Sequence, residues 1–286
     1  MNVDRFRVKR GDYGALARHK PDGTGLFRSK ADAQVHLLKG LKRLEERRQL
    51  LYAQDRYALL LVFQGMDGSG KDSVIRHVMS SVSPEGVEVH SFKQPSVEEL
   101  DHDYLWRSAK VLPQRGHIGI FNRSYYEEVL VVRVHPHALA AQKLPAPLIT
   151  KRIWDERFED INAFERYLAR NGTVIRKFYM HVSRAEQKKR LLERLDNPAK
   201  NWKFSKSDLL DRGAWHKYRH VYKQALAATS HPHAPWYVVP ADHKWFAQSL
   251  VADVVINALD ELDLSFQKLS PAQRRALGAA RRKLEE

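Results

Sequence analysis

The stretch LLLVFQGMDGSGKDSVIRHVM, residues 59–79, carries residue types in a spacing that is typical of a phosphate-binding loop. Gly65 is followed, after four residues, by Gly70 and Lys71, which matches the pattern G-x-x-x-x-G-K. In such a loop, backbone N–H groups and the dipole of the following helix hold phosphate oxygens, and the lysine reaches the transferred phosphoryl group. The stretch therefore predicts phosphoryl-transfer chemistry.

Two carboxylates lie in this segment, although a loop that binds phosphate would be expected to avoid negative charge. Asp67 lies inside the loop, and Asp72 stands after the lysine, where Ser or Thr usually binds magnesium. A bare carboxylate would repel phosphate, whereas one that shares a Mg²⁺ ion with the phosphate anchors it. We therefore expect Asp67 to contact magnesium. Asp72 has two interpretations: it replaces the hydroxyl, or it caps the helix N-terminus.

A second group of polar residues follows the apolar segment HIGIF, in NRSYYEEVLVVRVH. Asn122 stands where P-loop proteins often have a metal-binding carboxylate, and Arg123 beside it could clamp phosphate oxygens with a bidentate fork. Arg133 interrupts an apolar run. It is either a phosphate ligand or an edge residue whose head group extends to water.

The elements that must position these residues alternate along the chain. Short apolar runs predict strands at 57–63, 87–92, 117–121, 173–182 and 236–240. Helical patterns lie between or after them, at 97–111, 125–134, 150–170, 183–195, 207–229 and 244–262. This alternation predicts an α/β fold with a five-stranded parallel sheet that is covered by helices on both faces.

Composition narrows the class of protein. The chain has 286 residues, 43% of them hydrophobic, and lacks cysteine, which excludes disulfides, thiolate metal sites and a cysteine nucleophile. Its first residues lack the apolar run of a signal peptide, and no apolar stretch approaches the ~20 residues of a membrane-spanning helix. We therefore expect a soluble, cytoplasmic protein.

The charge is strongly positive. Forty-nine Lys and Arg against 34 Asp and Glu give a net charge of +15. Such a surplus favours a polyanionic partner, which would be nucleic acid, an anionic membrane or a phosphate chain, although a solvated basic surface explains it equally well.

Two further segments are rich in charge. Glu99, Asp103 and Arg107 have the spacing i, i+4, i+8 and would share one helix face, either as a salt-bridge ladder or beside a substrate. The segment from Ser183 to Asp208 is dense in cations and is either a solubilising basic helix or a lid that closes over phosphates.

Together, the segments GMDGSGKD, SFKQPSVEELDHDYLWR, FNRSYYEEVLVVRVHP, NWKFS and APWYVVPADHKWF resemble the polyphosphate kinase 2 family, and FNRSYYE resembles its class III branch. The resemblance implies a thymidylate-kinase-like P-loop kinase, a three-layer sandwich with a helical lid at about 183–230. It covers a single phosphotransferase domain at 31–265, between an irregular N-terminal arm at 1–30 and a basic C-terminal tail at 266–286.

The same resemblance implies a reversible transfer of the terminal phosphoryl group of inorganic polyphosphate to nucleoside mono- and diphosphates, which converts AMP to ADP and then to ATP. It implies Mg²⁺, with Mn²⁺ as a substitute, adenine as the expected base with guanine as an alternative, and a homo-oligomer, either a dimer or a tetramer. Neither nucleic acid nor a membrane is expected as a partner.

The resemblance also implies roles for individual residues. The catalytic set is Asp67, Lys71, Asn122 and Arg123, with Asp67 at the metal. The residues expected to bind phosphate and polyphosphate are Gly68, Ser69, Gly70, Asp72, Ser73, Arg190, Arg194 and Lys203. Those expected around the nucleotide are Lys93, Asp103, Arg107, Asn122, Arg123, Glu127 and Arg133.

Two other functions fit parts of the sequence. An ATP-dependent nucleoside or nucleotide kinase would use the same loop and fold. A P-loop protein that binds nucleic acid without catalysis would suit the positive charge, but not the acids in the loop or the acidic segment EELDHD.

Overall fold

In the computed structural model, which describes residues 1–25, 27 and 29–286, one parallel sheet forms the centre of the molecule. Its strands are β1 (Ala58–Gln64), β2 (Val87–Ser91), β3 (Ile118–Asn122), β4 (Thr173–His181) and β5 (Trp236–Pro240). Their order across the sheet is β2-β3-β1-β4-β5, and all neighbours are parallel. The predicted α/β fold with a five-stranded parallel sheet is confirmed.

The α-helices of the described residues are, in chain order, α1 (Ala15–Arg18), α2 (Lys30–Gln54), α3 (Lys71–Met79), α4 (Val97–Leu100), α5 (Trp106–Ala109), α6 (Val131–Val134), α7 (Pro136–Ala140), α8 (Ile153–Arg170), α9 (Arg184–Asp196), α10 (Lys206–Gly213), α11 (Trp215–Thr229), α12 (Lys244–Asp260) and α13 (Pro271–Glu285). Short 3₁₀ helices lie at Val3–Phe6, Tyr125–Val129, Ala146–Leu148 and Pro198–Lys203. Among these described elements, no helix has both the length and the apolar character needed to cross a bilayer.

Helices cover both faces of the sheet because the chain moves across it in two directions. From β1 through α3 to β2 the chain moves one way, and from β3 through α8 to β4 it moves the other way. Since such crossovers are right-handed, α3 and α8 lie on opposite faces. α12 packs against α2 and α3, and α11 packs against α8. β1 is buried along its whole length, which explains its uninterrupted apolar sequence.

Three predicted helices are divided in the structure. The helix expected over 97–111 is two single turns, α4 and α5, because the Asp103 carboxylate accepts the Leu105 N–H (2.9 Å) and stabilises a turn between them. The prediction that Glu99, Asp103 and Arg107 share one face of a single helix is therefore wrong. The helix expected over 125–134 begins as a 3₁₀ turn, and the one over 207–229 divides between Gly213 and Trp215.

The N-terminal segment is part of the core. Val3, Val8 and Leu16 are buried, and the Val8 N–H donates to the Trp236 carbonyl (2.8 Å). This segment thus covers the outer edge of β5, which would otherwise be an exposed strand edge. It contains a 3₁₀ turn and α1, so it is not irregular throughout.

Candidate active site

The phosphate-binding loop joins the end of β1 to the start of α3, as predicted. Gly68 and Gly70 have φ of 80° and 96°, in the left-handed region that favours glycine. At Gly68 a Cβ would also lie 3.2 Å from the Gln187 side chain of α9. The glycines therefore permit the tight turn that places the N-terminus of α3 at the end of the sheet, where the N–H groups of that helix can hold phosphate.

Lys71 lies at the centre of this loop. Its buried Nζ donates to the carbonyls of Gly65 (2.5 Å) and Met66 (3.3 Å). Burial and the neighbouring Arg123 lower the pKa of Lys71, against an opposing effect of Asp67. An anion in the loop would oppose that lowering, because it favours the charged ammonium.

Arg123 joins the end of β3 to the loop. β1 and β3 pair in a register that sets Phe63 opposite Asn122, and the Arg123 N–H donates to the Phe63 carbonyl (2.9 Å). The Arg123 guanidinium contacts Asp67 (Nη2 to Oδ1, 2.5 Å) and Glu127 (Nη1 to Oε2, 3.1 Å). Its φ of 63° is unusual outside glycine, and strain of this kind is often found at functional sites.

The side chains of Asp67 and Arg123 stay charged when the pH changes over the physiological range. Burial would raise the pKa of Asp67, but Lys71 and Arg123 outweigh it and hold the pKa below its ordinary value. Glu127 is the main cause that raises the pKa of Arg123, with Asp67 adding to it. Asp67 is therefore an anion, and Arg123 a cation, over the whole physiological range.

Asp72 and Asn122 form a direct contact between α3 and β3. The Asn122 amide donates to Asp72 Oδ1 (2.6 Å) and lies 3.5 Å from the Ser91 hydroxyl of β2. Asp72 is on the first turn of α3, but its described side-chain hydrogen bond is to Asn122, so the capping interpretation has no support in the geometry. The amide orients the Asp72 carboxylate at the rim of the loop.

Two serines, Ser69 and Ser73, also belong to the phosphate-binding loop and the first turn of α3. The Ser69 Oγ is buried and has no hydrogen-bond partner among the described residues, so it is free to donate to a ligand. Ser73 is half-buried on the first turn of α3.

The residues expected around the nucleotide divide into two groups. Asn122, Arg123 and Glu127 lie at the loop. Arg107 instead lies 3.8 Å from the buried Glu128 and 3.7 Å from Glu99.

Arg107 is held by its surroundings. It is buried, donates to the Lys93 carbonyl (2.9 Å) and lies over the Phe92 ring. The Lys93 and Asp103 side chains are exposed. Arg107 thus connects α5 to the segment that follows β2 and to the 3₁₀ turn at Tyr125–Val129.

Arg133 matches neither interpretation fully. Its guanidinium lies 5.6 Å from the centre of the Trp154 ring, and its buried Nη1 has no hydrogen-bond partner among the described residues. It is not in contact with the phosphate-binding loop, but it keeps one free buried donor.

Arg190, which was expected to bind polyphosphate, is a support for the loop instead. All its donor nitrogens reach protein acceptors: Nε bonds to Glu186, Nη1 to the carbonyls of Gly68 and Ser69, and Nη2 to the carbonyls of Ala241 and Asp242. This buried guanidinium joins the loop to α9 and to the segment after β5. Direct phosphate binding by Arg190 is therefore inconsistent with the geometry.

Arg194, one turn further along α9, belongs to the segment predicted as a lid. It contacts Asp208 of α10 (3.1 Å) and helps to lower the pKa of Asp67. Lys203 ends the 3₁₀ helix of the lid, with its ammonium 5.0 Å from the centre of the exposed Trp202 ring. Of the three residues predicted to bind polyphosphate from this segment, Arg190 supports the loop, Arg194 lies near it, and Lys203 lies beside the exposed Trp202.

Asp208 is the residue that the sequence analysis missed. It is buried, and its pKa is raised by burial and then by the charge of Asp67, while Arg194 opposes this. Ser205 and Asp208 form a capping box at the start of α10, and such a local pattern does not show that Asp208 lies near Asp67.

A narrow pocket opens beside the loop. Its lining residues are Gly65, Met66, Asp67, Arg123, Glu127, Val131, Asp211, Tyr218 and Tyr222. Gln187 also supports this side, because its amide donates to the Asp67 carbonyl (2.8 Å). Asp211 accepts from the Tyr218 hydroxyl (2.9 Å) and contacts His135 (2.7 Å), so α10 is joined to the core here.

Asp67 and Asp208 lie close enough for the charge of Asp67 to help raise the pKa of Asp208. Two such carboxylates would suit Mg²⁺, which prefers one or two carboxylates and leaves its other positions to water and phosphate oxygens. The described residues contain no cluster of three or more potential metal ligands. A two-carboxylate site of this kind would thus be completed by the substrate.

Comparison with known proteins gives one consistent result. Residues 28–267 match the family model for polyphosphate kinase 2. An ADP-polyphosphate phosphotransferase of Rhodopseudomonas palustris is 45% identical over 285 residues, which cover 99% of each chain. An AMP/ADP-polyphosphate phosphotransferase of Meiothermus ruber is 42% identical over 265 residues, 92% of this chain and 95% of the relative.

Solved structures are similar over the same length. The crystal structure of polyphosphate kinase 2 from Arthrobacter aurescens superimposes with a TM-score of 0.87 at 38% sequence identity and covers 97% of this chain and 96% of that one.

Proposed function

The chain belongs to the polyphosphate kinase 2 family, and on that premise we propose that it transfers the terminal phosphoryl group of inorganic polyphosphate to nucleoside mono- and diphosphates. The observation that carries the proposal is that Lys71, at the start of α3, and Arg123, after β3, both bind residues of the phosphate-binding loop, Gly65 and Asp67 respectively. Two cations there face one loop that is built for phosphate. The similarity to an enzyme named for both AMP and ADP supports both acceptors.

The reaction requires alignment and neutralisation of charge. An oxygen of the nucleotide's terminal phosphate attacks the end phosphorus of polyphosphate, a new P–O bond forms, and the bond to the next phosphate of the chain breaks. The attacking oxygen is already an anion, so no strong base is needed. The N–H groups of the loop, Lys71 and Arg123 would stabilise the charge on the transferred group, and Arg194 would do so from the lid.

We propose that magnesium is held by Asp67 and Asp208, with Mn²⁺ as a substitute. When bound, the ion neutralises phosphate charge and lets these carboxylates face an anionic substrate. Asp67 is ionised in the folded protein, and Arg123 orients it.

The test is a matrix of donors and acceptors. Pure protein is incubated with polyphosphate or ATP and each of AMP, ADP, GMP and GDP, and the products are separated by chromatography. We expect AMP to give ADP and then ATP with polyphosphate alone, and Lys71→Ala to abolish the transfer. ADP without polyphosphate controls for disproportionation. Phosphorylation with ATP as the only effective donor would overturn the proposal.

Asn122 is proposed to permit acceptors of either length, since an Asp there would add negative charge beside the acceptor. In the structure Asn122→Asp would also set two carboxylates in contact, because the Asn122 amide is bonded to Asp72. We therefore expect the variant to change the ratio of AMP to ADP turnover. The exchange Asp72→Asn with Asn122→Asp restores the hydrogen bond at the same net charge and separates the two effects. An unchanged ratio in both variants would contradict this role.

The predicted cytoplasmic location, the dimer or tetramer, and the use of guanine nucleotides stay predictions.

A further inference from the structure

The helix α13 (Pro271–Glu285) is the most exposed long element of the protein. It is described in full, and none of its residues is buried. It lies beyond residue 267, where the match to the family ends. Its sequence, PAQRRALGAARRKLE, has five cationic side chains and one carboxylate.

Four of those cations share one face. Two turns of an α-helix take about 7.2 residues, so residues seven apart are aligned. Arg274 and Arg281 form one such row, Arg275 and Arg282 form the adjacent row, and Gly278 lies between them. The helix is about 22 Å long, and the two rows are about 100° apart around its axis, so the four arginines form one basic face. Ion pairing is slight: within the described part of the chain, Arg281 is the one arginine of this face that contacts a carboxylate, Glu285 (2.6 Å).

We propose that this arginine face is a second binding site for polyphosphate, which holds a distant part of a long chain while the chain's end occupies the phosphate-binding loop. The inference rests on the proposed function. Guanidiniums bind phosphate oxygens as bidentate forks, and a regular row of them matches a polymer with a negative charge on every unit. Bound polyanion would also relieve the repulsion among the arginines. A helix of this length is marginal without a partner, so the anion would stabilise it.

Charge complementarity favours this occupant over two others. A helix that enters a membrane surface needs a broad apolar face, usually with aromatic residues. The large apolar residues of α13 are Leu277 and Leu284, which lie beside the Arg274–Arg281 row, and the side opposite the arginines carries alanines and Lys283. The same two leucines are too few for a stable helix pair with a second copy of the chain, which needs a sustained apolar seam.

The kinetic consequence is specific to chain length. A chain that is bound at two sites rebinds the loop at a high effective concentration, whereas a chain of a few phosphates can occupy only one site. The tail site should therefore lower the KM for long polyphosphate and leave kcat and short donors unaffected.

The test compares three variants with the wild type. The first variant has Arg274, Arg275, Arg281 and Arg282 all replaced by Gln. The second ends at Leu269. The control has Gln at four exposed cations on α2 and α8, namely Lys39, Lys42, Arg166 and Arg170, and so loses the same charge elsewhere. Measured quantities are KM and kcat for long and short polyphosphate with ADP as acceptor, and the binding of end-labelled long polyphosphate without nucleotide.

We expect both tail variants to raise the KM for long polyphosphate about tenfold, and to change kcat and the short-donor KM by less than about twofold. An unchanged long-donor KM, or an equal rise in the control, would overturn the inference, while turnover of short polyphosphate would still support the proposed function. If the truncated variant loses a dimer that the wild type forms, the helix binds a second copy of the chain instead. If anionic lipid vesicles displace labelled polyphosphate from the wild type but not from the variant without the four arginines, the helix binds a membrane surface instead. If wild type uses no polyphosphate at all, the proposed function fails first.

Discussion

Arg190 and Arg194 stand one turn apart on α9 and have different roles. The Arg190 guanidinium is buried and fully used by protein acceptors, four of them carbonyls. Arg194 has one carboxylate partner, Asp208, and lies near Asp67. We infer that Arg190 positions the loop, and that Arg194 is the lid arginine that is available to phosphate.

Arg190→Gln is expected to destabilise the protein, because it leaves several buried carbonyls without donors. The loss should be about 2–3 kcal/mol, which corresponds to a Tm about 4–10 °C lower. Lys189→Gln, at an exposed position on the same helix, is the control. Thermal unfolding measures both. An Arg190→Gln variant with normal Tm and only a raised KM for polyphosphate would restore the direct binding role.

The binding of magnesium should strengthen as pH rises. In the folded protein the pKa of Asp208 is raised, first by burial and then by Asp67, so below that pKa the ion must displace a proton. Above it, Asp208 is already ionised and binds without that cost. We expect the magnesium-induced rise in Tm, measured without nucleotide, to grow as the pH rises through the pKa of Asp208. The Asp208→Asn variant should lack this pH dependence.

The exposed Asp196→Asn is the matched control on the lid and should behave as wild type. A wild-type response that is the same at every pH would remove Asp208 from the proposed magnesium site.

Among the elements, a buried polar group holds the 3₁₀ turn at Tyr125–Val129, which follows Arg123 beside the phosphate-binding loop. Lys177 of β4 contacts Glu165 of α8 (2.5 Å), and both side chains are fully buried. The hydroxyls of Tyr125 and Tyr126 each donate to Glu165 (2.9 Å). Since Arg123 precedes these tyrosines and Glu127 follows them, this group fixes the 3₁₀ turn beside the loop. Burial lowers the pKa of Lys177 to about 8.

Lys177→Met should be strongly destabilising, by about 3–5 kcal/mol, because it leaves the Glu165 carboxylate buried without its cation. Adding Glu165→Gln removes the charge and keeps an acceptor for the two tyrosines, so the double variant should recover part of the loss. Unfolding in denaturant gives both free energies. A double variant that is less stable than Lys177→Met alone would show that the ion pair is not what the turn depends on.

Across the whole molecule, the net charge of +15 has a direct consequence for association with a long anion. Each neutralised phosphate releases a counterion, so binding weakens with salt in proportion to the number of contacts. The effect is independent of which single residue makes each contact.

We expect the KM for long polyphosphate to rise at least about tenfold between 50 and 200 mM salt, and that for a short donor by less than about threefold. Initial rates at several donor concentrations give both values, and kcat at saturation controls for inhibition by the salt itself. Equal salt dependence for both donors would mean that the basic surface does not follow the chain.

The sequence by itself determined the sheet and the chemistry of the loop. Buried strands need apolar runs such as LLLVF, and a tight phosphate turn needs glycine at Gly68 and Gly70, so both leave a local pattern. The position of Arg123 was also readable, because neighbouring parallel strands end at the same edge of the sheet. Helix boundaries were less readable. A polar segment such as 97–111 carries a helical spacing whether or not a side chain such as Asp103 turns the backbone.

The tertiary structure alone decided which charged residue meets which. Arg190 and Arg194 are equivalent in the sequence, yet one is surrounded by carbonyls and the other faces the loop, because α9 lies with only one of them against Gly68. Asp208 is about 140 residues from Asp67, and no local pattern records the electrostatic interaction between them. The physical reason is that side chains far apart in sequence interact through the packing of whole elements, and that packing is a property of the complete fold.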